Sequence, residues 1–295
     1  MDHSHEGGST AEIVTRILLY LGVFALVGAG FFARWIGPEL SKQRRAPLMV
    51  LLIGGALLAV GSSLYLAYHI VWMLGGPSGE VYLSYLTQTQ QGNLLLVRLL
   101  LVVALLGLGL GLPSRFDKAV FALVALSLLA TLTLTAHAGA WGKTALPSHL
   151  VHTAVVVAWG GSLLALGMLW NGHPELLAPV ERLSRLGGMA VVVFVLSGSL
   201  LALIHLSGSQ ENFAISLPRA AANLTASAYG SALIRKLLGV AAILGTAALN
   251  RWWLLPAVQS GNRRAWLGWL IRLEALLLLG VLVLTGFLAT TSPPR

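Results

Sequence analysis

Apolar runs of about 20 residues or more recur along the whole chain, the length a helix needs to cross a hydrocarbon core at about 1.5 Å per residue. No other feature constrains the fold as strongly. Lipid offers no water to pair with open backbone groups, so each run must close its hydrogen bonds within itself as a helix. The runs fall at about residues 12–36, 46–74, 92–112, 117–138, 148–171, 184–206, 230–255 and 266–290. Breakers separate them: Gly75-Gly76-Pro77, Pro113-Ser114, Gly172-His173-Pro174 and Pro293-Pro294. Only 10% of residues are charged and 57% are hydrophobic, against roughly 25% charged in a soluble domain. The expected fold is an all-α polytopic membrane protein of eight transmembrane helices. No soluble domain fits between them, and the longest loop runs from about Ser207 to Tyr229.

Orientation follows from the basic residues. One set of loops carries Arg34, Lys42, Arg44, Arg45, Arg115, Lys118, Arg182, Arg185, Arg251, Arg263 and Arg264, and the other only Lys143, Arg219 and Arg295. That bias puts both termini outside the cytoplasm, which in a bacterium means a periplasmic N-terminus and C-terminus in the inner membrane. The opening Met1-Asp2-His3-Ser4-His5-Glu6 lacks the basic start of a signal peptide, so the first helix is expected to be retained. The net charge of +9 is spread through short loops, a topology signal and not a nucleic-acid footprint.

The two halves resemble each other. Gln91-Gly92 leads to Arg98, and Tyr229-Gly230 leads to Lys236, at the same spacing; upstream, Ser63 to His69 parallels Ser199 to His205. The division expected is a tail at 1–11, a four-helix half at 12–140 and a second at 141–295, related by an axis along the membrane normal.

The chain has no cysteine, which excludes disulfides, thiolate metal sites and iron–sulfur ligation. Metal chemistry falls to His, Met, carboxylates or backbone. With the expected topology, His3, His5, His69, His137, His149, His152 and His205 all lie on the outer side and only His173 faces inward. Ionisable groups in a membrane mark sites or pathways. His137 at the end of the fourth helix and His149 and His152 at the start of the fifth form the sharpest group, since a hairpin brings them to one depth. The latter pair, three residues apart, share a helical face. Neutral imidazoles suit copper, zinc, iron or nickel. Met73, four residues after His69, adds a thioether that favours Cu(I), although methionine is more often plain packing. His3, third from a free amine, fits a square-planar Cu(II) or Ni(II) set.

Arg98 and Lys236 lie about two turns inside the outer ends of their helices. They repel a cation and would suit haem propionates, with His69 and His205 as paired axial ligands, so a b-type haem electron carrier is the alternative reading. Arg272 and Glu274 either pair with neighbouring helices or mark a polar route inward. Trp159-Gly160-Gly161-Ser162 reads as close helix packing. No nucleophile constellation or nucleotide motif appears, so a conventional enzyme is not expected.

Ala136-His137-Ala138, His152 followed by Trp159-Gly160-Gly161, Tyr229-Gly230 with Leu233 and Lys236, and Leu249-Asn250-Arg251 together resemble the CopD family of bacterial copper-resistance membrane proteins, over about residues 130–256. The resemblance implies copper handling at the inner membrane, import in the usual description, with a separate periplasmic CopC-like protein as partner. It carries copper onto His137 and His152. Ser148-His149 stands where that family is expected to have an acidic residue. The expectation is copper binding at the outer face by His137, His149 and His152, with His69, Met73 and His205 nearby and His3 and His5 as a capture tail.

Overall fold

The computed structural model describes residues 10–76, 78–111, 115–136, 142–207, 215–259 and 264–294. Every regular element among them is helical, and eight helices are long and apolar enough to cross a membrane. The chain is an all-α multi-pass membrane protein. Helix α1 (Thr10–Phe31) runs on through a π turn (Phe32–Ile36). Then come α2 (Lys42–Met73), a short α3 (Gly79–Gln88), α4 (Gln90–Leu110), α5 (Arg115–Thr135) and α6 (Gly142–Leu169). A 3-10 turn (Pro174–Leu176) opens α7 (Leu177–Ser207), followed by a short α8 (Leu217–Ala226) and α9 (Ala228–Leu249). A second π turn (Asn250–Leu254) and α10 (Leu255–Gln259) lead to α11 (Arg264–Thr290). Successive spans alternate in direction. The tail end of the bundle holds the start of α1 and the ends of α2, α5 and α7; the far end holds the ends of α1, α4, α6 and α9.

Helix α1 is the centre of the bundle, packed along α2 and α6 and against α11 and α4. Between helices in lipid there is little hydrophobic drive, so close backbone approach and dispersion carry the packing. Gly28 of α1 and Gly161 of α6 supply that approach: a Cβ on Gly161 would lie 2.5 Å from the Phe24 carbonyl oxygen and 2.6 Å from the Gly28 Cα. Leu19, Val23 and Leu26 of α1 and Phe32 of its π turn are buried in the main core with Leu48, Leu105, Phe121 and Leu166. Leu57, Leu100 and Leu196 are exposed, the outer face that a hydrocarbon solvent favours.

Two arginines organise the far end. Arg34, 1% exposed, donates to the carbonyl of Leu108 at 2.5 Å and lies over the Phe121 ring at 4.5 Å. It thereby adds a second donor to a carbonyl at the C-terminus of α4 that also accepts from Gly111 N at 3.2 Å. Arg182 of α7 donates to the Ile36 carbonyl at 2.9 Å and to the Glu39 carboxylate at 2.7 Å, tying the first half to the second.

The spans match the sequence expectation, with two differences. α6 begins at Gly142 and α7 at Leu177, both earlier than expected, because a helix continues past its apolar stretch when its first turns are polar. Pro179 sits in the first turn of α7, where its missing N–H costs nothing. The stretch expected as the longest loop also holds α8, and α3 fills the matching place after α2. Both are ten residues long and capped alike. Ser78 Oγ accepts from Val81 N and Ser216 Oγ from Arg219 N; Thr89 Oγ1 accepts from Gly92 N and Ser227 Oγ from Gly230 N, both at 2.9 Å. Each pair, like Arg98 and Lys236, is 138 positions apart. Such short capped helices stay below the length at which hydropathy registers a span.

Candidate functional site at the tail end

His149 and His152 project from the third turn of α6, not from its first, and they engage different neighbours. The Nδ1 of His149 lies 3.1 Å from the hydroxyl of Thr133 on α5, with the Thr153 hydroxyl at 3.4 Å. Thr133 is 1% exposed and donates its own hydrogen to the Leu129 carbonyl at 3.0 Å. Its oxygen is thereby available to accept from Nδ1 of His149. The Nδ1 of His152 lies 3.2 Å from the Phe194 carbonyl and 3.1 Å from the Ser197 hydroxyl on α7. A carbonyl only accepts, and Ser197 donates to Val193 O at 2.7 Å, so here Nδ1 is the donor. The Phe194 carbonyl favours the tautomer of His152 with the proton on Nδ1 and the lone pair on Nε2, and the Thr133 oxygen is compatible with the same tautomer of His149. That is the arrangement of a metal-ligating histidine, whose other nitrogen is fixed by the protein.

The surroundings hold the His152 ring in place. Its ring meets Phe194 edge-on at 6.5 Å, and Phe194 stacks on Trp159 at 6.1 Å. Gly198 leaves room beside it, since a Cβ there would lie 3.1 Å from His152 Cε1. Among the described residues, His149 and the Lys236 ammonium of α9 act on His152 through their charge. Arg98 is 6% exposed and donates to Thr131 O at 3.0 Å and Thr135 Oγ1 at 2.9 Å. It underlies the end of α5, two residues before His137.

The other expected ligands are dispersed. His69 is partly buried near the end of α2, while Met73, the last residue of that helix, is 67% exposed. His205 is 6% exposed, with its ring 5.9 Å from that of Tyr229. Leu206 beside His205 packs with Tyr229, while Ile204 on its other side packs with Ala145 of α6; Ile70 beside His69 packs with Tyr85 and Leu95 in a separate cluster. His3, His5 and His137 lie outside the described residues. Among the described residues no three His, Asp or Glu side chains converge to hold a metal. Sequence reasoning missed Thr133, Phe194 and Ser197, which orient the two imidazoles. The three threonines Thr131, Thr133 and Thr135 within an apolar span were a visible signal: the first and last share the helix face that meets Arg98, and Thr133 lies on the opposite face toward His149.

Comparison with known proteins finds copper relatives over nearly the full chain. The family described as copper resistance protein D-like, N-terminal domain, matches residues 7–145, and the copper resistance protein D family matches residues 177–288. Copper resistance protein D of Pseudomonas syringae pv. tomato is 27% identical over 316 residues, covering 96% of both chains. No solved structure matches significantly. The matched stretches extend beyond the 130–256 core expected from the motifs. His69, His137 and His205 fall inside them, whereas His149 and His152 lie in the interval between.

Proposed function

We propose that this chain, which belongs to the copper resistance protein D family, takes copper as cargo at the tail end of its bundle and passes it across the bacterial inner membrane. The observation that carries this reading is that His149 and His152, three residues apart on α6, are each held through Nδ1 by a neighbouring helix. Thr133 meets one ring, and Phe194 with Ser197 meets the other, and Nε2 of each is the metal ligand in this reading. His137, two residues beyond the end of α5, is the third ligand in this reading. His69, Met73 and His205 act as nearby stations, and His3 and His5 capture copper from the periplasm or from a separate CopC-like protein. In this reading the tail end faces the periplasm, supported by the excess of basic residues in the far-end loops. Imidazole ligands suit copper in either oxidation state, and a thioether adds preference for Cu(I).

Copper uptake by proteoliposomes containing the full chain tests the reading. Wild type is expected to load copper, and His152→Ala to lose most of that uptake. Equal uptake by the variant contradicts the assignment.

A further inference from the structure

A cavity of about 570 Å³ opens toward the far end, between α6, α7, α11 and the π turn after α9. Its walls are mainly apolar, yet Glu274 of α11 lies on its lining and is only 4% exposed. The Glu274 carboxylate accepts a 2.7 Å hydrogen bond from Asn250 Nδ2, while the buried Asn250 Oδ1 meets no donor among the described residues. Two nearby cations are engaged elsewhere. Arg251 donates to the Ser184 carbonyl at 2.5 Å, and Arg272, on the same helix as Glu274, donates to the Trp170 carbonyl at 2.9 Å. Arg185 of α7 lines the same cavity, and α6 presents Trp159, which has no titratable group. Among the described residues Glu274 is thus a buried carboxyl without an ion-pair partner.

This is a poor way to build a structural salt bridge and a good way to build a proton site. An asparagine amide serves both states of a carboxyl: its NH2 donates to the carboxylate, and its oxygen accepts from the acid. Asn250 opens a π turn, a distortion common at functional sites. The cavity also shares a wall with the histidines, since Trp159 lines it and stacks on Phe194, whose ring and carbonyl hold His152.

We propose that Glu274 and Asn250 form a proton-exchange site coupled to copper passage, an inference that rests on the transport reading above. The carboxylate gains the proton of a hydronium ion at the cavity mouth, leaving water, and the reverse step restores both.

Two measurements test it on the full chain. Infrared difference spectra of the purified protein between acid and alkaline pH are expected to contain a deuterium-sensitive carboxylic-acid band. That band should vanish in Glu274→Gln and reappear shifted in Glu274→Asp. An unchanged band in Glu274→Gln overturns the proton site. Proteoliposomes carrying a pH dye are expected to show proton movement that accompanies copper uptake. In Glu274→Gln that signal should fall at least tenfold while copper binding in detergent is kept. Copper uptake with an undiminished proton signal in the variant overturns the coupling. Wild-type protein that moves no copper overturns the coupling along with the transport reading, and the infrared band then decides the proton site alone.

Discussion

The Nδ1 of His152 on α6 lies 3.2 Å from the carbonyl oxygen of Phe194 on α7. A neighbouring helix thus dictates which ring nitrogen can meet a metal, and Ser197 adds a second acceptor at 3.1 Å. Outer partners of this kind are worth about 10–100-fold in metal affinity. Ser197→Ala is expected to weaken copper binding within that range, read by competition with a chelator of known affinity. An unchanged affinity would show that the hydrogen bond does not hold a ligand.

Lys236 lies close enough for its charge to act on His152, so it opposes a copper ion there. Removing the ammonium in Lys236→Met is expected to tighten copper binding, on the order of tenfold, since a like charge opposes a cation in a partly polar medium. The same titration gives the answer, and weaker binding would place copper elsewhere.

The bond between Arg182 and Glu39 makes a pH-dependent clamp between the halves. Partial burial works against the Glu39 charge, but the Arg182 hydrogen bond, Glu39's own backbone and the charges of Arg182 and Arg45 outweigh it. They hold the carboxyl below its ordinary value of 4.5. A depressed carboxyl stabilises the fold fully above its ordinary value, and the benefit fades as pH falls through the lowered one. Glu39 is well exposed, so the pair contributes at most about 1 kcal/mol. Glu39→Gln should lower the melting temperature at neutral pH and make no difference in strong acid. A deficit that persists in acid would point to lost packing.

The crossing of α1 and α6 at Gly28 and Gly161 has no room for a side chain, with backbone atoms on both sides. Gly161→Ala is expected to destabilise the fold by about 1–3 kcal/mol through overpacking, seen as a lower melting temperature in detergent. Gly54→Ala, where a Cβ meets nothing within 4 Å, serves as the neutral control.

The eight spans were legible because lipid imposes one solution on each apolar run of sufficient length. The helices α3 and α8 were not, being ten residues each and set by Ser and Thr caps and not by hydropathy. His149 and His152 stood out as histidines in an apolar helix, but the groups that orient them come from α5 and α7. Single polar residues such as Ser197 look alike in sequence whether they face a ligand or lipid. The reading of Arg272 and Glu274 stayed open for the same reason. The fold separates them, giving Arg272 to the Trp170 carbonyl and Glu274 to Asn250.

The most direct test is the metal content of detergent-purified protein by mass spectrometry, with a visible spectrum of the same sample. The account predicts copper near one or more per chain and no haem band in wild type, with that copper lost in the His149→Ala, His152→Ala double variant. Stoichiometric copper retained by the double variant, or iron with a haem band in wild type, would contradict it.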